Sequence, residues 1–239
     1  MKSDNDLVPN AWLALENGVV LAGRACGAQG EKSGDLVFNT AMTGYHEILT
    51  DPSYFGQVVV MTYPLIGNYG VAEEDDESSK AWPEAFVVKE MSSIPSNRRA
   101  TSSLPEWLAA KGVVAIEGVD TRRLTKLVRE HGCLKCVVST IDSDPASLVR
   151  KAKNAVSTDN RDLAREVTCA KPYTWNAGYD ASYPAMSEVA PGPRKRVVAE
   201  PAAGLPLESH RCVSSASPLS RARNCQTLHR LSATTPAIS

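Results

Sequence analysis

The sequence predicts an α+β fold followed by a tail that does not fold, on three observations. Most strand signals come first, the clear helix signals come mainly afterwards, and the pattern stops at Ala199. Strands followed by helices point to α+β packing rather than to alternating βαβ units. The 239 residues are 43% hydrophobic and 22% charged, ordinary values for a soluble globular protein. A unit of this size buries enough surface to need no staples. No run of about 18 apolar residues occurs, so no membrane span is expected. Residues 1–10 carry one Lys and two Asp and are expected to be a flexible N-terminus, neither signal nor transit peptide.

The elements follow in order. Residues 11–15 and 19–23 are apolar runs joined through Asn17-Gly18, a strong hairpin signal because both turn residues tolerate positive φ. Leu36-Val37-Phe38-Asn39-Thr40 reads as a short strand after Gly34. Residues 57–62 form a β-branched run that reads as a buried strand. It stops at Tyr63-Pro64, since Pro cannot donate to a ladder. Gly67, Asn68 and Gly70 make the next loop permissive. The acidic run 73–77 reads as a solvated loop or a first helical turn, without the Gly and spacing of a calcium loop. Residues 85–89 are another strand.

Ser102 or Ser103 caps a helix with Pro105 in its first turn and Leu104, Trp107 and Leu108 on its apolar face, ending at Gly112. Residues 113–116 are a strand. Asp120 caps a second helix over 121–131, stopped by Gly132. Its Leu124, Leu127 and Val128 share one face, and Arg122, Arg123, Lys126 and Arg129 cover the other. We read that basic face as solvated rather than as a nucleic-acid recognition surface. Residues 136–140 are a strand and 145–156 a last helix.

After Pro191-Gly192-Pro193 the character changes. Residues 194–239 hold seven Lys or Arg against Glu200 and Glu208, a charge of +5 within a chain of net −1, which leaves −6 on the rest. Residues 200–239 contain no aromatic residue and only sparse, aperiodic Leu, Val and Ile. Such a stretch cannot bury enough apolar area to offset its ordering entropy, and it is expected to be disordered.

The six cysteines, Cys26, Cys133, Cys136, Cys169, Cys212 and Cys225, are scattered. Cys133-Leu-Lys-Cys136 has C-x-x-C form but no second pair, so no metal site is assigned and a reducing, cytoplasmic setting is expected. Gly27-Ala28-Gln29-Gly30-Glu31-Lys32-Ser33 is no phosphate loop, because Glu31 stands between the Gly and the Lys and would repel phosphate.

The densest signal is the run Phe38-Asn39-Thr40-Ala41-Met42-Thr43-Gly44-Tyr45-His46-Glu47-Ile48-Leu49-Thr50-Asp51-Pro52-Ser53-Tyr54. By residue chemistry it is a strand entering a hydroxyl- and amide-rich loop, suited either to binding a ligand or to plain turn formation. Here the sequence resembles the carbamoyl phosphate synthetase small-subunit family, with Ala41 where a Ser is common. The resemblance continues through Tyr63-Pro64-Leu65-Ile66-Gly67-Asn68-Tyr69-Gly70, Glu77-Ser78-Ser79, Ile116-Glu117-Gly118-Val119-Asp120-Thr121-Arg122-Arg123-Leu124-Thr125 and Leu163-Ala164-Arg165-Glu166-Val167. It spans about residues 11–199.

The resemblance implies a layered, swivelling β/β/α N-terminal domain over 11–156 that docks on a large subunit. It implies a linker over 157–193 and, at 194–199, a vestige of the first strand of a class I glutamine amidotransferase domain, expected to lack its sheet neighbours. It implies carbamoyl phosphate formation from glutamine, bicarbonate and ATP, for pyrimidine and arginine biosynthesis, with ATP and Mg on the large subunit and no cofactor on this chain. Ser53 is implied as a glutamine contact reaching across to that second domain. Its hydroxyl can both donate to and accept from an amino acid. Glutamine is expected to bind only where an amidotransferase domain is supplied.

Glutamine hydrolysis in this family needs a thiol in G-x-C-x-G, a His to take its proton, and a Glu two residues later. None of the six cysteines has that setting and none of His46, His131, His210 and His229 begins H-x-E. No catalytic residue is therefore assigned, and the isolated chain is expected to lack glutaminase activity. The loss of pattern at Glu200 reads as truncation or out-of-frame sequence over 200–239. Two alternatives remain open here. One is a complete amidotransferase using Cys169 or Cys225. The other is a nucleic-acid-binding protein acting through the basic tail, which lacks aromatics for base stacking.

Overall fold

Alternation of side chains decides this architecture, because most of the long strands bury one residue in two toward a shared interior. The structure, a computed structural model, describes residues 8–159, 161–169, 173–175 and 197–199. It divides into Met1–Arg161 and Asp162–Ser239. In chain order the first unit holds β1 (Ala11–Leu15), β2 (Val20–Ala25), β3 (Glu31–Asn39), α1 (Tyr45–Thr50), β4 (Gln57–Met61), β5 (Leu65–Ile66), β6 (Ala85–Val87) and β7 (Glu90–Met91). It continues with α2 (Leu104–Ala110), β8 (Val114–Glu117), α3 (Thr121–His131), β9 (Leu134–Ser139) and α4 (Pro145–Asn154).

Seven of these strands close into a barrel in the order β1-β2-β8-β6-β4-β3-β9. β3, β4, β6 and β8 run parallel to their neighbours in that run, and the remaining pairings are antiparallel. Leu13 and Leu15, Leu36, Val58 and Val60, Val87, Ile116, Cys136 and Val138 fill the interior, joined by Leu124 of α3. The alternate residues Val59, Met61, Phe86, Val88 and Ala115 pack instead with Tyr45, Leu49, Leu104 and Leu108 of α1 and α2. On another side, Ala14 and Val137 pack with Leu148 and Ala152 of α4. The chain is thus α+β, as its order of signals predicted, with the sheet closed on itself. Strands buried on both faces carry apolar runs, which is why residues 57–61 read as a strand.

The helix ends match their local chemistry. Asp120 accepts from the Arg123 amide at 2.9 Å at the start of α3. Ser103 precedes α2, and its amide and hydroxyl both reach Glu106, at 3.1 and 2.7 Å. Asp144 accepts from Ala146 and Ser147 at the start of α4.

β3 departs most from the sequence expectation, since it begins at Glu31 and not at Leu36. Its first half pairs antiparallel with β9 and its second half parallel with β4, sharing Asp35 and Leu36. The first half is polar because it lies at or near the surface, where Glu31 lies 2.8 Å from Lys151 and Lys32 lies 3.3 Å from Glu84. The acidic run forms a short 3-10 turn over Glu73–Asp75, in keeping with a first-turn reading.

In the second unit, α5 (Leu163–Val167) is capped by Asp162, and β10 (Tyr173–Trp175) pairs antiparallel with β11 (Val197–Ala199). The strand expected at 194–199 to lack neighbours therefore has one. The expected disorder of 200–239, most of the flexible N-terminus, and much of the 157–193 linker lie outside the described residues.

Candidate functional site

Ser53 sits in a one-turn 3-10 segment, Pro52–Tyr54, between α1 and β4. The Asp51 carboxylate accepts from the Ser53 amide at 2.7 Å, and Pro52 sets φ in the first position. Ser53 is exposed, and its hydroxyl makes no hydrogen bond among the described residues. A polar tip on a fixed backbone is therefore presented outward.

The turn is fixed from three directions. The Tyr54 hydroxyl accepts from the Asn39 amide group at 2.9 Å, which ties the turn to the end of β3. The Trp82 indole donates to Ser78 Oγ at 2.6 Å, and Ser78 donates to the Thr50 carbonyl at 2.6 Å, one residue before Asp51. Phe55 meets the edge of Trp82 with centroids 5.7 Å apart. Lys80 Nζ lies 3.9 Å above that indole. A cleft lined in part by Phe55, Trp82, Lys80 and Lys111 lies beside the turn and carries positive charge.

Upstream, Gly44 takes φ +82 at the start of α1, a left-handed value that suits Gly. The Tyr69 hydroxyl accepts from the amides of Gly44 and Tyr45, at 2.6 and 3.1 Å. Tyr69 stacks on Tyr45 with centroids 4.1 Å apart. Burial raises the phenol pKa of both. This anchoring role of Tyr69 was not read from the sequence. The only signal is that an aromatic follows Gly67-Asn68.

His46 is 1% exposed, meets Trp107 edge-on at 5.0 Å and lies 2.8 Å from Asp76. Neither imidazole nitrogen has an aligned hydrogen-bond partner among the described residues, so the approach to Asp76 is a close polar contact. Burial lowers the His46 pKa, opposed by the nearby Asp76 carboxylate.

Cys26, Cys133 and Cys136 are poorly placed for nucleophilic chemistry. Burial raises the pKa of Cys26, with Glu117 adding to it, and raises those of Cys133 and Cys136, with Asp35 adding to both. Cys26, Cys133, Cys136 and Cys169 are all unpaired. A thiol kept protonated is a weak nucleophile. His131 binds the carbonyl of Leu127 on its own helix at 3.1 Å. Cys212 and Cys225 lie outside the described residues. Among the described residues no group of three or more His, Cys, Asp or Glu could hold a metal ion, and no helix is long and apolar enough to cross a membrane.

Comparison with known proteins gives a consistent result. The family model described as carbamoyl-phosphate synthase small chain, CPSase domain, matches residues 13–138, from within β1 to within β9. A carbamoyl phosphate synthase small chain of Syntrophotalea carbinolica is 50% identical over 190 residues, covering 79% of this chain and 50% of that protein. The protein of the same description from Nitratidesulfovibrio vulgaris (strain Hildenborough) is 53% identical over 70% of this chain and 44% of its own length. That from Aquifex aeolicus is 53% identical over 71% of this chain and 46% of its own length. The chain spans about half the length of the curated relatives it matches. Among solved structures, an aminopeptidase from Aneurinibacillus sp. strain AM-1 aligns with a TM-score of 0.34 at 14% identity, over 56% of this chain and 31% of that one, too distant to carry an argument.

Proposed function

The chain belongs to the carbamoyl-phosphate synthase small chain family, and from that premise we propose that it supplies the N-terminal part of the small, glutamine-dependent subunit of carbamoyl phosphate synthetase. The observation that carries this reading is that the family match runs from β1 to β9, the first and last strands of the barrel in chain order. In this reading the barrel with its helices is the swivelling β/β/α domain, and it docks on a large subunit that holds ATP and Mg. Segregation of α1 and α2 on one side of the sheet and α4 on another supports a layered description. The assembly serves carbamoyl phosphate formation for pyrimidine and arginine biosynthesis, in the cytoplasm, where the unpaired thiols are at home.

In the same reading Ser53 contacts glutamine and the barrel does no chemistry on it. The exposed hydroxyl and the braced turn support the first part. The raised thiol pKa values of Cys26, Cys133 and Cys136 support the second. The relatives favour this reading over an amidotransferase with an unrecognised nucleophile and over a nucleic-acid-binding protein.

The test mixes the purified chain with the large subunit of a carbamoyl phosphate synthetase. A complex in analytical ultracentrifugation is expected, with no ammonia released from glutamine by the chain alone. Absence of a complex with several large subunits would sink the docking role. For Ser53, residues 1–199 are fused to the C-terminal half of the Aquifex aeolicus relative. Ser53→Ala should raise the KM for glutamine about ten- to a hundredfold, the worth of a hydrogen bond to a charged group. An unchanged KM removes that role.

A further inference from the structure

We propose that Asp35 is a positioning residue that fastens the chain's exit from the barrel to the back of the turn carrying Ser53. This deepens the reading of Ser53 given above and rests on it for its purpose.

Asp35 is 2% exposed and lies in the segment of β3 where the strand changes partner. Its amide donates to the Gly56 carbonyl at 3.2 Å. One carboxylate oxygen, Oδ2, accepts three hydrogen bonds: Ser157 Oγ at 3.0 Å, the Thr158 amide at 2.6 Å and Thr158 Oγ1 at 2.6 Å. A buried carboxylate is retained only where donors satisfy it, and charge-assisted bonds of this length are the strong ones. All three donors come from residues 122 or 123 positions away in sequence. The group therefore caps no local turn, and its effect is to hold residues 157–158 on β3.

The same segment rests on the residues that follow Ser53. A Cβ on Gly56 would stand 3.0 Å from the Thr158 methyl and 3.7 Å from the Arg161 guanidinium. Arg161 lies over the Phe55 ring at 5.7 Å. Residues 157–158 are thus fixed by a carboxylate on one side, and Thr158 and Arg161 lie across Phe55-Gly56 on the other. Arg161 therefore lies against the residue two positions after Ser53. A hydroxyl that must meet a ligand held by later residues works only if both are referenced to one origin, because displacements of about 1 Å suffice to lose such contacts. Asp35 supplies that origin.

Amide hydrogen exchange on the full 239-residue chain tests the proposal without glutamine. Asp35→Asn should speed exchange at residues 158–161 and at 53–56 by about tenfold or more, while amides of β1 and β8 keep their rates. Thr158→Val keeps the shape and removes one donor, so it should show the same pattern more weakly, and it serves if Asp35→Asn does not fold. Unchanged exchange at 158–161 in both variants would overturn the attachment. Opening of 157–161 with 53–56 unaffected would overturn the positioning role, as would uniform loss of protection throughout the barrel in Thr158→Val. Failure of Ser53→Ala to alter the KM for glutamine is a separate outcome. It removes the ligand contact and leaves these exchange patterns as predicted.

Discussion

At the scale of single residues, His46 links burial to pH. Its imidazole is enclosed between Trp107 and Asp76, and burial lowers its pKa from the ordinary value of about 6.5. The folded protein therefore takes up this proton only at lower pH than the unfolded chain does. The stability contributed by neutral His46 is full above about pH 6.5 and is lost as the pH falls through the folded-state value. Asp76 has the opposite sign, since burial raises its pKa, and it offsets part of the loss in acid. Urea denaturation at pH 7.5 and 5.5 should show lower stability at the acid value, and His46→Asn should shrink the difference. An equal difference in the variant would assign it to other groups. The sequence placed Ser53 at an Asp-Pro-Ser turn, and the structure keeps it there. It did not show what braces the turn, because Ser78, which accepts from the Trp82 indole, reaches back to the Thr50 carbonyl across 28 residues. Contacts of that separation leave no periodic trace.

At the scale of elements, legibility followed locality. The limits of α3 were readable from Asp120 and Gly132, which act on adjacent residues. β4 was readable from its own β-branched run. The first half of β3 was not, because Glu31, Lys32 and Ser33 lie at or near the surface and carry no apolar alternation to mark a strand. Gly34 within that half has a specific reason to be Gly: a Cβ there would lie 2.5 Å from the Gly56 carbonyl oxygen. Gly34→Ala must push β3 and the start of β4 apart, and should cost about 1–3 kcal/mol, as overpacking does. A shift of the urea midpoint is the measurement, and no shift would mean that the strands separate freely at this point.

At the scale of the whole molecule, closure was the feature hidden from the sequence. β1 pairs with β9, Trp12 opposite Ser139, and nothing near either strand announces the other. What the sequence did carry was the alternation that makes closure favourable once the strands meet. Ile116 stands wholly buried in the shared interior beside residues from other strands. Ile116→Ala should therefore destabilise by about 2–5 kcal/mol through lost burial and the cavity left behind. A lower urea midpoint with an unchanged slope is expected. A cost near zero would indicate a collapsible, loosely filled interior.

The ring of seven strands also decides how this unit can be approached by another polypeptide. An open sheet ends in a row of amides and carbonyls that an incoming segment can zip onto, whatever its side chains. Here every one of the seven strands of the barrel has a neighbour on both flanks, so the barrel has no edge strand. A partner that docks on the barrel is therefore expected to meet individual side chains on its loops and helices, and single surface substitutions there should weaken it.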